Sequence, residues 1–100
     1  MAETLTKETT KQDLEVLRPS KYKVLVLNDD KTPMDFVIAM LIRVFKHNHS
    51  AAEQLTMKIH HEGRAVVGIY SYEIAEQKCV EGVNLAREHG FPLVIKAEPE

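Results

Sequence analysis

Residues 22–37 read YKVLVLNDDKTPMDFV, and the predicted fold is organised around this stretch. Its first part, Tyr22–Leu27, is an alternating apolar run typical of a half-buried β-strand, and it stops at the polar triplet Asn-Asp-Asp of residues 28–30, which favours a turn. A helix is predicted to begin directly afterwards, with Thr32 as its N-cap and Pro33 at its first position. The sequence therefore predicts a strand-to-helix corner with two carboxylates and an amide beside apolar side chains, which suits a small cationic ligand with an apolar end.

Two helices are predicted to follow this corner. Apolar residues at helical spacing extend the first helix from about Pro33 to Lys46. The sequence Ser-Ala-Ala-Glu at residues 50–53 is a capping-box pattern and predicts the start of a second helix, which should end at Gly63. The link between them is short, so the two helices are expected to form a hairpin.

The remaining third of the chain supplies two more strands and one helix. Residues Arg64–Tyr70 are rich in β-branched side chains and predict a strand, Ser71 is expected to cap a helix that ends at residues 89–90, and Leu93–Ala97 predict the last strand. The expected fold is α+β, with the order β-α-α-β-α-β in one compact unit. The connections predict a three-stranded antiparallel sheet with the first strand in the centre and the helices packed on one face.

Length and composition restrict the organisation and the function. One hundred residues suit a single domain. Residues 1–20 lack aromatic side chains and predict a flexible N-terminal tail, which leaves 21–100 as the domain. The net charge of −2 does not indicate binding to nucleic acid or to a membrane, so neither is expected as a partner. The single Cys79 cannot form an internal disulfide, and without a signal peptide we expect a cytoplasmic protein.

The predicted topology brings the end of the first strand and the start of the last strand to one edge of the sheet. Met34 and Val37, one helical turn apart, are then positioned to form a pocket wall with Val26 or Leu27 and with Leu93, next to the acids of the corner. The same spacing is also typical of ordinary core residues, and the polar triplet alone is typical of a solvated turn. The residues thus leave a pocket and a plain corner as alternatives.

The histidines and the cysteine are further candidate sites of chemistry. His60 near the end of the second helix either interacts with the negative helix end or offers a ligand one acceptor nitrogen. His47 and His49, with His60 and its neighbour, lack the spacing of zinc ligands and a second cysteine, so no metal and no cofactor are expected. Cys79 is expected inside an apolar helix face.

An enzyme built on Asp29, Asp30 and His60 is the less favoured alternative. These residues form an acid–base set, but no glycine-rich oxyanion or phosphate loop accompanies them. A second alternative is a protein-interaction domain that shares the α/β fold and binds through its helical face. The sequence therefore predicts a binding protein that is not an enzyme.

Four segments of the chain closely resemble the ClpS family of bacterial protease adaptors. They are the stretch 22–37, Ile59-His60 followed by Gly63, residues 70–78, and Pro92-Leu93. The resemblance implies an adaptor of the N-end rule, in which proteins with a destabilising first residue, or N-degron, chiefly Leu, Phe, Tyr or Trp, are bound and delivered to a hexameric Clp ATPase for degradation. It further implies a monomer that binds the N-terminal domain of a ClpA-like ATPase.

The resemblance also implies roles for individual residues. Four residues would hold the α-amino group of the ligand: Asn28, Asp29, Asp30 and His60. Eight would line the pocket for its side chain: Val26, Leu27, Thr32, Met34, Val37, Thr56, Ile59 and Leu93. Met34 would exclude β-branched side chains, and the surface around Glu73 and Lys78 would face the ATPase. Thr56 departs from the family pattern, in which well-known members have Met. The resemblance therefore does not fix the order of affinity among Leu, Phe, Tyr and Trp as first residues.

Overall fold

The computed structural model describes residues 21–100, and the predicted flexible tail, residues 1–20, lies outside the described residues. The elements follow in the predicted order β-α-α-β-α-β: β1 (Tyr22–Leu27), α1 (Met34–Arg43), α2 (His49–Glu62), β2 (Arg64–Tyr70), α3 (Tyr72–Glu88) and β3 (Val94–Pro99).

The three strands form one antiparallel sheet in the order β2-β1-β3, which confirms that β1 is the central strand. At its carboxyl end, Leu27 pairs with Arg64 on one side and with Val94 on the other. These partners are the first residues of their strands, so the corner that follows β1 lies between the starts of β2 and β3. The predicted meeting of the corner with Leu93 at one sheet edge is therefore confirmed.

The core lies between one face of the sheet and the helices. Val26 is fully buried and pairs with Ala65 and Ile95, which are also buried, so the core-facing positions of the three strands are in line. Met40 and Leu41 of α1 are fully buried in the same apolar cluster, and α1 packs beside α2. A buried apolar side chain of this size contributes about 1.5–3 kcal/mol, so this burial anchors α1 in the core and with it the position of the corner.

The start of α1 differs from the prediction. The N-cap residue is Pro33, with φ −64° and ψ 145°, and the expected cap Thr32 precedes it. The hydroxyl of Thr32 donates to a carboxylate oxygen of Asp29, at 2.7 Å, instead of taking part in a helix cap. A hydrogen bond to a charged acceptor is stronger than one to a neutral acceptor, which accounts for the choice. The helix also ends at Arg43, before Lys46, whose backbone has a φ of 62°.

The predicted capping box at residues 50–53 is wrong as well, because α2 begins earlier. Its N-cap is Asn48, whose side-chain oxygen accepts the N–H of Ala51 at 2.8 Å. Asparagine caps a helix at least as well as serine, so the first suitable residue is used. Ser71 occupies the N-cap position of α3 as predicted, but its side chain makes no capping hydrogen bond. Gly63 ends α2 as predicted, with a left-handed φ of 89°.

Candidate functional site

The corner after β1 is held together by the carboxylate of Asp29. Its Oδ1 accepts the backbone N–H groups of Lys31, at 2.9 Å, and Thr32, at 2.8 Å, and its Oδ2 accepts the Thr32 hydroxyl. Because the hydrogen bonds involve a charged acceptor, they define the loop conformation more firmly than a turn between neutral groups would. Asp29 is therefore fixed in place by the chain itself. The Asp-x-x-Thr spacing was the sequence signal for this structure, and the prediction of Thr32 as a helix cap missed it.

The corner is also fastened to the last turn of α2. The backbone N–H of Asn28 donates to the carbonyl of Gly63 at 2.8 Å, and the N–H of Gly63 donates to the carbonyl of Ile59 at 2.9 Å. His60 follows Ile59 directly, so the end of α2 brings the imidazole to the corner although 32 positions separate it from Asn28 in the sequence.

A cavity of about 10 Å³ lies where the corner, α1, α2 and the start of β3 meet. Its lining consists of Leu27, Asn28, Asp29, Thr32, Met34, Val37, Thr56, Ile59, His60 and Leu93. Asn28 and His60 are exposed, whereas Val37, Ile59 and Leu93 are buried. The cavity thus has a polar rim open to solvent and a mainly apolar floor inside the domain.

Ten of the twelve predicted pocket residues line this cavity. The other two are Val26, which is fully buried within the core, and Asp30, which is exposed beside the corner. Val26 is placed in the core because it occupies the core-facing position of β1, between Ala65 and Ile95. Asp30 follows the lining residue Asp29 in the sequence, and its side chain is exposed to solvent.

Thr56 differs from all other polar residues of the cavity. It is 2% exposed, and among the side chains of residues 21–100 its Oγ1 is the buried polar atom for which no hydrogen-bond partner is found. A buried hydroxyl without a partner destabilises a protein by about 1–3 kcal/mol. The sequence singled out Thr56 as a departure from a family pattern, but it contained no signal for the missing partner.

The two residues expected to contact an ATPase lie on α3. Glu73 is exposed in its first turn. Lys78 is half-buried, and its ammonium donates to the carbonyl of Val44 at 2.7 Å, just beyond the end of α1. Lys78 therefore also holds α3 against α1.

The remaining histidines take part in contacts within the fold. The Nε2 atom of His47 lies 2.6 Å from the carbonyl oxygen of Val67, and the Nδ1 atom of His49 lies 3.2 Å from a carboxylate oxygen of Glu53. Across residues 21–100 there is no cluster of three side chains suited to hold a metal ion. Within the same residues, no helix has the length and apolar character that crossing a membrane requires.

Cys79 lies half-buried on α3 and does not line the cavity. Burial raises the pKa of its thiol, and the negative charge of Glu76 raises it further. Both causes disfavour the thiolate, which is the nucleophilic form. This agrees with the prediction that Cys79 packs as a small apolar side chain.

Comparison with known proteins gives a consistent result. Residues 17–96 match the family model described as ATP-dependent Clp protease adaptor protein ClpS. A ClpS adapter of Treponema denticola is 48% identical over 82% of this chain and 81% of its own length, and one of Nautilia profundicola is 47% identical over 88% and 91%. The structure of Agrobacterium tumefaciens ClpS2 bound to L-phenylalaninamide covers 83% of this chain and all of its own, at 43% identity and a TM-score of 0.80.

The fold and the cavity define a small binding domain with a pocket at the edge of its sheet. The chain belongs to the ClpS family of Clp protease adaptors. The names of its relatives describe adaptors and not enzymes, which confirms that part of the prediction.

Proposed function

We propose that this adaptor binds proteins by a bulky first residue, Leu, Phe, Tyr or Trp, and reads the free α-amino group together with the side chain. The observation that carries the proposal is the cavity at the corner, where hydrogen-bond acceptors at a solvent-open rim lie directly above an apolar floor. The phenylalaninamide bound to the related ClpS2 has both features, a free amine and an apolar side chain.

The rim has the acceptors that an α-ammonium group requires. Such a group presents three donors and one positive charge. Asn28 supplies an amide oxygen and His60, when neutral, a ring nitrogen. Asp29 and the adjacent Asp30 supply negative charge, and Oδ2 of Asp29, which accepts one hydrogen bond within the corner, retains acceptor capacity.

Magnitudes indicate that both parts of the ligand are needed. A micromolar complex requires about 8 kcal/mol net, after an association cost of at least about 4 kcal/mol. One buried Leu or Phe side chain supplies about 1.5–3 kcal/mol, and each hydrogen bond to the charged amine about the same. Neither contribution is sufficient alone, so an internal Leu or Phe, which has no free amine, is not bound.

Met34 is proposed as the gate of the pocket. The cavity of about 10 Å³ has room for roughly one water molecule, so a ligand side chain enters only after a lining residue moves. Met34 is partly exposed and has an unbranched, flexible side chain, whereas Leu93 and Ile59 are buried in the core. A gate that opens along a narrow path excludes side chains branched at Cβ.

Delivery completes the proposed function. The protein is proposed to act in the cytoplasm as a monomer, without a cofactor, and to present its ligand to the N-terminal domain of a ClpA-like ATPase. The exposed start of α3 at Glu73, together with Lys78, is the proposed contact. The domain is proposed to comprise residues 21–100, with residues 1–20 taking part in delivery.

Fluorescence anisotropy with labelled peptides that differ only in the first residue tests the proposal. We expect micromolar or tighter binding for Leu, Phe, Tyr and Trp, and at least about a hundredfold weaker binding after acetylation, because two or more charge-assisted hydrogen bonds are lost. His60→Ala is expected to weaken binding at least about tenfold. His61→Ala, a matched exposed neighbour outside the cavity lining, should leave it within about twofold.

Three outcomes would contradict the proposal. Equal affinity for the acetylated peptide would show that the amine is not read. Indifference to the first residue would favour the alternative of an interaction domain that binds through its helical face. Turnover of a bound peptide, lost in the His60 variant, would favour the acid–base enzyme.

A further inference from the structure

Two threonines line the cavity, and only one of their hydroxyl groups is used within the described residues. The Thr32 hydroxyl donates to Asp29 at 2.7 Å. The Thr56 Oγ1 atom is fully buried and has no hydrogen-bond partner among residues 21–100. Buried polar atoms in native proteins are nearly always paired, so an unpaired one inside a binding cavity indicates a partner that comes from the ligand.

The position of Thr56 on α2 places this residue at the inner part of the cavity. It precedes His60 by four residues, so the two side chains share one face of the helix and are separated by about 6 Å along its axis. His60 is exposed at the rim, whereas Thr56 is 2% exposed. A ligand amine held at the rim would therefore direct the far end of a long side chain towards Thr56.

We propose that the Thr56 hydroxyl is a specificity determinant that favours tyrosine over phenylalanine as the first residue, by hydrogen bonding to the phenol oxygen. This inference rests on the proposed function. A phenol hydroxyl donates and accepts, as does the threonine hydroxyl, so either group can supply the proton. Phenylalanine and leucine have no polar atom at this end and leave the Thr56 hydroxyl buried and unpaired in the complex.

The surroundings of Thr56 make the hydrogen bond selective. Val37, Ile59 and Leu93, which line the same cavity, are at most 5% exposed and offer no competing side-chain acceptor or donor. Water reaches such a site poorly, so a ligand without a hydroxyl cannot restore the missing hydrogen bond from solvent. Sites of this kind reject an analogue that lacks the polar group more strongly than apolar sites reject an added one.

The test compares peptides that begin with Tyr or Phe and are otherwise identical, on the wild-type protein, Thr56→Val and Thr56→Ser. Valine has nearly the shape of threonine without the hydroxyl, and serine keeps the hydroxyl as the matched control. We expect the wild-type protein to bind the Tyr peptide about five- to tenfold more tightly than the Phe peptide, where tenfold corresponds to about 1.4 kcal/mol. Thr56→Val should reduce this ratio to about one or below, and Thr56→Ser should retain most of it.

The Phe peptide separates this inference from the proposed function. Its affinity should change less in Thr56→Val than that of the Tyr peptide, because phenylalanine makes no hydrogen bond to the Thr56 hydroxyl. If the ratio of the Tyr-peptide affinity to the Phe-peptide affinity is the same in the wild-type protein and in Thr56→Val, the inference is overturned and the proposed function stays intact. Such a result would show that the Thr56 hydroxyl pairs with a water molecule or with no group of the ligand. Failure of the wild-type protein to bind either peptide would overturn both.

A ligand series on the wild-type protein keeps the inference testable if Thr56→Val does not fold. A peptide that begins with 4-methylphenylalanine has the shape of the Tyr peptide without a hydroxyl, and it should bind about five- to tenfold more weakly than the Tyr peptide. Equal affinities of these two peptides would overturn the inference.

Discussion

The polar groups of the corner and of the cavity floor differ in whether they have hydrogen-bond partners. At the corner, Asp29 accepts three hydrogen bonds from neighbouring residues, and Asn28 and Asp30 are exposed to solvent. At the floor, the buried hydroxyl of Thr56 has no partner among residues 21–100. The polar groups of the corner thus have partners in the chain or in solvent before any ligand binds. A buried hydroxyl without a partner is unfavourable in the free protein, and we infer that its partner comes from the ligand.

The largest expected effect tests the corner. Asp29→Ala removes the acceptor of three hydrogen bonds, and we expect the free energy of unfolding to fall by about 1–3 kcal/mol, because the loop loses its local partner. Peptide affinity should fall at least tenfold, since the rim loses both a charge and its fixed shape. Urea unfolding and anisotropy measure the two effects.

Asp30→Ala is the matched stability control for this change. It removes the same charge from the next residue, which is exposed and for which no hydrogen bond is found within residues 21–100. The free energy of unfolding should change by no more than about 0.5 kcal/mol. Equal destabilisation by both substitutions would show that the charge of the corner, and not the hydrogen bonds of Asp29, supports the loop.

Thr32 at the corner and Thr56 at the floor are both buried, so one substitution at each position compares the two regions. Thr32→Val loses a hydrogen bond to a carboxylate and should lower the free energy of unfolding by about 1–2 kcal/mol. Thr56→Val loses no hydrogen bond and replaces an unpaired hydroxyl by a methyl group, so stability should rise by about 1 kcal/mol, or roughly 4–8 °C in Tm. Urea and thermal unfolding of both variants and the wild-type protein measure these two changes in stability. Two changes of the same sign would remove the distinction between corner and floor.

The sequence predicts the corner much better than the floor. Alternation in Tyr22–Leu27, the polar triplet at 28–30 and the glycine at 63 act over a few residues, so the strand, the turn and the end of α2 were predictable. The sheet order followed from the connections, and it brought Leu93 to the corner. The N-caps predicted for α1 and α2 were wrong for two reasons. The Thr32 hydroxyl pairs with Asp29, and Asn48, which precedes Ser50, caps α2.

The floor depends on contacts between distant parts of the chain. Thr56 lies on a helix of mixed polarity, and only the packing of α2 beside α1 and β2 buries its hydroxyl beyond the reach of a partner. No local pattern encodes the absence of a hydrogen bond. The resemblance to a family indicated that Thr56 belongs to the pocket, and the structure added the unpaired hydroxyl on which its proposed role rests.

The smallest expected effect uses Cys79 to test whether ligand binding stays local to the cavity. Burial, followed by the charge of Glu76, raises the pKa of this thiol, so less of it is thiolate at pH 8 than for a free cysteine. Ellman's reagent should therefore react more slowly with the folded protein than with free cysteine, and the rate should rise only at higher pH. Glu76→Gln should accelerate the reaction, since the second and weaker cause of the raised pKa is removed, and Glu81→Gln on the same helix should not. Cys79 does not line the cavity, so a bound Phe peptide should leave the rate unchanged. A clear change on binding would show that occupation of the floor also displaces α3, and opening of the cavity would then extend beyond the proposed movement of Met34.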